Sequence, residues 1–479
     1  MRWGLLGALA AVSLGAAALV PAAHAGGPTL TLGAAEDVVR KSSLVEAKAQ
    51  MTLLRLAGFR AVRVTSIWKP GELEPAPFER AILDNVAAAA ALSGVRVYVS
   101  VFHAGSRTTP LLPEDRAQFA AYAAGLARAY PAFRDLIVGN EPNLNRFWLP
   151  QYAADGSGAS APAYLSLLAE TYDALKAVSP EVRVIGGALA PRGVDRPGTG
   201  RDTISPTRFL RELGAAYRAS GRALPVMDVF AFHPYADNSS RSPDLPPSAD
   251  ADHLALVNYP KLVALLAEAF DGTAQRGSTL PILYDEFGVE TVIPPEKTTL
   301  YSAIEPATTK PVTEAIQAGF YRRALQLAFC QQNVIGMLLF HSHDEPELSA
   351  WQSGLYYADG SPKTSLSPVR AALAATRGGS ISRCPGLALT VKPSTVFSTR
   401  TLAISLRCNL DCVYRARLVK LPAGSTTAAA SGRARAETRV TVSLRRKLRP
   451  GRYRLAVTFT HPVNRGAAVL RESKPFRIR

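Results

Sequence analysis

Along the chain, short apolar runs alternate with longer stretches in which apolar positions recur every three or four residues. The short runs predict strands over Leu30–Gly33, Ala61–Ile67, Arg96–Phe102, Leu136–Asn140, Val182–Gly187, Val229–His233, Ile282–Glu286 and Val334–Phe340. The amphipathic stretches between them predict helices over Ser43–Ala57, Arg80–Leu92, Glu114–Ala129, Ala163–Val178, Thr207–Ser220, Tyr259–Phe270, Thr313–Cys330 and Ser367–Ala375. Strands that are apolar throughout, without polar alternation, are buried on both faces, as in a parallel sheet covered by helices. Strand–helix pairs repeated eight times across residues 27–378 predict an α/β fold, a TIM (β/α)8 barrel with enlarged loops. A doubly wound open sheet is the alternative, but no Gly-rich phosphate loop follows an early strand.

After Arg377 the pattern changes. Short alternating runs at Leu387–Lys392, Leu402–Arg407, Val413–Lys420, Arg439–Leu444 and Tyr453–Phe459 are separated by turn residues. That spacing predicts a small all-β sandwich of immunoglobulin-like type over 384–479.

Charge falls on the same boundary. Residues 384–479 carry 20 Lys+Arg and 3 Asp+Glu, a net of +17; the whole chain is 55 − 38 = +17, so residues 1–383 sum to zero. This excess reads either as a solvated, Arg-rich surface or as a module that holds an anionic partner such as a cell-wall polymer or a membrane surface. No motif or aromatic interleaving points to nucleic acid, so no nucleic-acid partner is expected. At the other end, Arg2, the apolar run Leu5–Val20 and the small-residue pattern Ala23-His24-Ala25 form a signal-peptide pattern over 1–25. An exported chain, extracellular or held at the cell surface, is expected, and a monomer.

Four cysteines, Cys330, Cys384, Cys408 and Cys412, suit disulfides in such a chain. Cys408 and Cys412 flank Asn409-Leu410-Asp411, a turn between two predicted strands, and are expected to be bridged. Helices seven and eight of a barrel both end at its N-terminal face, which brings Cys330 and Cys384 within bonding reach.

In a barrel the chemistry sits where the strands end. The fourth predicted strand ends in Asn140-Glu141-Pro142 and the seventh in Asp285-Glu286-Phe287-Gly288. Two carboxylates converging on one mouth are what glycoside hydrolysis needs, one to protonate the leaving oxygen and one to attack the anomeric carbon. No cofactor is required. His341, His343 and Asp344 lack the spacing of a zinc site, and no metal is expected.

These two motifs resemble those of the clan A glycoside hydrolases, and the other strand ends are similar to the cellulase-like family 5 pattern. The resemblance implies a retaining, β-specific enzyme with Glu141 as acid/base and Glu286 as nucleophile. It places Arg63 beside the nucleophile, His103 at the end of the third strand, and Asn140 against a sugar hydroxyl. His233 and Tyr235, in His-Pro-Tyr after the sixth strand, match a His-x-Tyr whose tyrosine bonds the nucleophile. The chain departs from the pattern at the end of the eighth strand, where Phe340-His341 stands in place of tryptophan; the family within the clan stays open. A wall-polysaccharide transglycosylase using the same two residues and a catalytically inactive carbohydrate-binding barrel are the alternatives. Trp68, Trp148 and Trp351 fall in loops after the second, fourth and eighth strands, where aromatic faces suit stacking on sugar rings. His341 is expected to contact substrate beside them.

Overall fold

The structure, a computed structural model, describes residues 27–247, 252–382, 384, 389–398, 401–408, 412–434, 439–445, 448–460 and 468–478. The export signal expected at 1–25 and the turn expected at 409–411 lie outside them. Among the described residues, eight parallel strands close into a barrel: β1 (Thr31–Ala35), β2 (Ala61–Trp68), β3 (Arg96–His103), β4 (Asp135–Val138), β5 (Arg183–Leu189), β6 (Val229–Phe232), β7 (Ile282–Phe287) and β8 (Val334–Phe340). β8 closes on β1 with Leu32 opposite Met337. Between them run α1 (Leu44–Ala57), α2 (Pro77–Ser93), α3 (Pro113–Ala129), α4 (Ser160–Val178), α5 (Pro206–Ala219), α6 (Tyr259–Phe270) and α7 (Glu314–Phe329), with α8 (Leu366–Arg377) last.

Local chemistry sets the helix ends. Proline opens α2, α3 and α5, where its missing N–H has no helical partner to lose. Ser205 caps α5 by accepting from the Arg208 N–H. Gly58 stops α1 at φ 102°, a left-handed geometry that a side chain resists.

Each barrel strand buries both faces, which explains its unbroken apolar reading. Outward residues such as Val62, Val64, Val97 and Val99 pack under the helices. Inward residues, among them Ala61, Tyr98, Ile137, Ile185, Val229 and Leu283, fill the barrel itself. At the N-terminal end of the barrel, Asp135 is buried with Arg96 and Arg183 on its two carboxylate oxygens.

The C-terminal strands form two antiparallel sheets. One has the order β13 (Arg439–Arg445), β10 (Thr401–Cys408), β9 (Leu389–Ser398). The other runs β12 (Ser425–Ala434), β11 (Cys412–Leu421), β14 (Gly451–Thr460), β15 (Ala468–Glu472), with β16 (Phe476–Ile478) also on β14. Leu406 of the first sheet packs with Tyr414, Leu418, Leu455, Val457 and Phe459 of the second, as in a sandwich. Strand β12 was not foreseeable from its sequence: Ser-Thr-Thr-Ala-Ala-Ala carries little strand propensity and is recruited by pairing with β11. Disulfides join Cys330 to Cys384 and Cys408 to Cys412, the pairings expected from topology and spacing. No helix among the described residues is long and apolar enough to cross a membrane.

Candidate active site

The C-terminal ends of the strands surround a cavity of about 960 Å³. Its floor is assembled from β2, β4, β6 and β7. β4 leaves the sheet through Gly139 at φ 83° and Glu141 at φ 41°. A Cβ on Gly139 would stand 3.1 Å from the Tyr164 ring, so glycine is needed there for space as well as for φ. The Tyr164 hydroxyl donates to the Val138 carbonyl at 2.7 Å and accepts from the Gly187 N–H at 2.8 Å, clamping the ends of β4 and β5 together. The Glu141 N–H donates to the Ala188 carbonyl at 2.8 Å. In β7 the register breaks between Tyr284 and Phe287. Such a bulge re-aims side chains, and here the consecutive residues Asp285 and Glu286 both reach Arg63.

Arg63 organises the carboxylates. Its Nη1 donates to Glu286 Oε1 at 2.7 Å and Asp285 Oδ2 at 3.2 Å, and its Nη2 to Asn140 Oδ1 at 3.1 Å. Burial works against the guanidinium's charge, but Glu286 and Asp285 outweigh it and keep it ionised. The Tyr235 hydroxyl donates to the other Glu286 oxygen, Oε2, at 3.0 Å. Burial and the adjacent Glu286 hold the Tyr235 pKa well above its ordinary value, so this proton stays on the phenol.

His233 lies beneath, fully buried. Its Nδ1 is 2.9 Å from Glu141 Oε1 and 3.5 Å from Glu286 Oε2, and its Nε2 is 3.3 Å from Asp285 Oδ1. Burial alone would lower its pKa; Glu286 and Asp285 overcome that and raise it to about 10. At neutral pH it is an imidazolium that donates to Glu141. Ligating atoms of Glu141, His233 and Glu286 lie within 4.8 Å of one another. That spacing is compatible with a cation, but a protonated Nδ1 has no lone pair to offer, and Arg63 already supplies positive charge. The arrangement instead presents two carboxylates to one small volume, one of them fully hydrogen-bonded and the other facing the cavity.

Of the residues singled out in the sequence, Arg63, Asn140, Glu141, Tyr235, Glu286, His341 and Trp351 line the cavity. Trp351 packs on Tyr235 at 5.0 Å and edge-on to Phe340 at 5.3 Å between ring centroids, in the region where the departure from the tryptophan pattern occurs. His341 holds its Nδ1 2.8 Å from the Ala35 carbonyl.

Three expected residues are elsewhere. Trp68 is buried edge-on to Phe119, with its indole N–H donating to the Glu72 carbonyl at 2.9 Å. Trp148 is buried against Tyr164 and His103. His103 points away from the cavity, with Nδ1 2.8 Å from the Gly105 carbonyl and its pKa lowered by burial. Trp68 and His103 end β2 and β3 on the helix-facing side of the strands, and the loop carrying Trp148 folds back onto His103 and Tyr164, so these rings are satisfied by packing and do not face the cavity. His343, two residues after His341, is buried and stacks on Tyr356.

Sequence reading passed over three buried carboxylates. Asp285 sits two residues after the inward-facing Leu283, a period that was available to find it. Glu36 follows β1 directly and accepts from the N–H and hydroxyl of Ser342 at 2.9 and 2.8 Å, tying β1 to the loop after β8. Burial opposes its charge, but His341, the Val38 N–H and neighbouring donors hold its pKa below the ordinary value. Glu290 lines the cavity, and burial pushes its pKa up to about 7.

No family model matches the sequence. No curated protein matches it either. Among solved structures the chain is similar to a family 39 glycoside hydrolase from the gut symbiont Bacteroides cellulosilyticus WH2, at 16% identity over 88% of this chain and 81% of that one, with a TM-score of 0.51. It is also similar to GH5_18 from Streptomyces cattleya, solved in complex with GlcNAc, at 16% identity over 75% of this chain and 82% of that one, TM-score 0.51. What the chain shares with these glycoside hydrolases is the eight-stranded barrel fold.

Proposed function

We propose that this protein is an exported retaining glycosidase that hydrolyses a β-linked glycoside or polysaccharide by double displacement. The observation that carries the reading is the approach of Glu141 and Glu286 oxygens to within 4.8 Å. Retaining enzymes hold their carboxyls about 5–5.5 Å apart, whereas inverting ones leave roughly 6.5–9.5 Å for a water.

Glu286, its two oxygens oriented by Arg63 and Tyr235, attacks the anomeric carbon as the glycosidic C–O bond breaks. Glu141 delivers its proton to the departing oxygen. The resulting glycosyl ester on Glu286 is opened by a water whose proton passes to Glu141, which returns both residues to their starting states. His233 fixes the orientation of Glu141 through its 2.9 Å contact, and Asn140 is placed to meet a sugar hydroxyl. Trp351 offers an aromatic wall to a ring bound in the cavity. The neighbours of like fold are named as glycoside hydrolases, one of them with GlcNAc bound, which agrees with a carbohydrate substrate. The signal-like segment over 1–25 and two disulfides favour export. In the same reading the chain works as a monomer, without cofactor, and its basic C-terminal residues contact an anionic wall polymer.

The test is proton NMR of the first sugar released from activated β-glycosides. Initial release of the β-anomer is expected; initial α-anomer would mean inversion and end the proposal, as would absence of turnover across glucosides, xylosides, mannosides and galactosides.

A further inference from the structure

Part of the basic excess of the C-terminal residues lines up on one sheet among the described residues. In β11 the inward positions Cys412, Tyr414, Ala416 and Leu418 are buried, so Arg415 and Arg417, both exposed, stand on the opposite face. Cross-strand register carries that face outwards. Val413 pairs with Arg433 of β12, Val419 with Arg454 of β14, Leu421 with Arg452, and Arg452 with Arg477 of β16. Six arginines therefore share one face. In order along the sheet, Arg433, Arg415, Arg417, Arg454, Arg452 and Arg477 each lie beside or diagonal to the next. Strand spacing and residue rise make this a diagonal stripe roughly 30 Å long.

The described residues of these five strands contain one acid, Glu472, which pairs with Arg454 at 3.0 Å. Like charges opposite one another, as at Arg452 and Arg477, cost stability. A surface serving only solubility gains nothing from that alignment; a charged line needs a charged partner to offset it.

We propose that this stripe is the docking site of a linear anionic polysaccharide lying diagonally across the sheet. The proposal rests on the reading of the C-terminal residues as a polymer contact and is independent of the chemistry assigned to the barrel. A line of guanidinium forks matches regularly spaced carboxylate, sulfate or phosphate groups along one chain. A bilayer presents a plane of charge and rewards apolar insertion; this row is a single line, and the aliphatic residues opposite its arginines, Val413, Val419 and Leu421, are half-buried in the sheet. Nucleic acid is read by stacking aromatics or by an element entering a groove; this face is a broad sheet, and apart from Glu472 its described residues outside the stripe are small, hydroxyl or aliphatic, with no aromatic ring among them.

The experiment measures binding of the full chain to polygalacturonate and dextran sulfate, with neutral dextran, duplex DNA and phosphatidylglycerol vesicles alongside. Binding to at least one of the two anionic polysaccharides is expected, with none to neutral dextran. Arg415→Gln with Arg417→Gln should weaken it about tenfold. Arg449→Gln with Arg471→Gln removes equal charge off the stripe and should weaken it less than about threefold. Equal losses in the two doubles, binding to neither polysaccharide, or tighter binding to DNA or vesicles would overturn the proposal. Turnover of a small neutral β-glycoside is followed in the same variants and should not change. Loss of polymer binding with turnover intact removes only the stripe, and polymer binding without any turnover removes only the glycosidase reading.

Discussion

The two ends of the barrel bury charge for opposite purposes. At the N-terminal end, one carboxylate, Asp135, meets two arginines, Arg96 and Arg183, whose outer parts reach solvent. At the C-terminal end, three carboxylates, Glu141, Asp285 and Glu286, crowd around one guanidinium and one imidazolium. The first cluster closes the barrel's base with its acid fully satisfied. The second packs three acids against two cations and leaves Glu141 turned to the cavity. The lesson is that ion pairing inside this fold is closed at the base and left open at the mouth, where the proposed reaction would run.

The contrast breaks most sharply at Glu286. Glu286→Ala should lower turnover of a β-glycoside by at least about 10⁴-fold, with thermal unfolding near the parent value because Asp285 still holds Arg63. A parent-like rate would remove the nucleophile assignment.

The next largest effect belongs to His233, whose pKa is higher folded than unfolded. Its contribution to stability is complete below pH 6.5 and drains away as pH rises through about 10. Urea titrations of parent and His233→Asn at pH 6, 8 and 10 should show the parent's advantage shrinking with alkalinity; a pH-independent difference would mean that His233 is neutral in the fold.

Asp135→Asn is the mirror experiment. Its partners are partly exposed, so the cost should be about 2 kcal/mol, below that of a fully buried pair. Denaturant unfolding should register the loss while kcat stays unchanged; a fall in kcat would show that the two ends are coupled.

The smallest effect is expected from Trp351→Ala, which removes one cavity wall. KM should rise about tenfold with kcat within a factor of three. Trp148→Ala should do the reverse, reducing stability through a core void and leaving KM alone.

Much of the barrel was legible. The eight predicted strands begin within a residue of those observed because strands buried on both faces show as short, mainly apolar runs without strict polar alternation. Glu141, Glu286, Arg63 and Tyr235 could be located because strand ends in such a fold point to one place. Trp68 misled because β2 runs one residue further than predicted and its alternation turns that ring to the helices, and Trp148 because a loop's position in sequence does not say which way its side chains turn. Glu36 was hidden for a different reason: an acid just past a strand end reads as solvent-exposed until the donors that surround it are placed. The arginine stripe needed register, which composition cannot supply.

The turn at Glu141 has one further consequence. Its backbone occupies a left-handed conformation, φ 41°, that glycine or asparagine adopts more readily than glutamate. The residue that the proposed proton transfer needs is thus not the one the main chain prefers. On that proposal, glycine or asparagine at 141 would give a sturdier barrel that no longer turns over substrate.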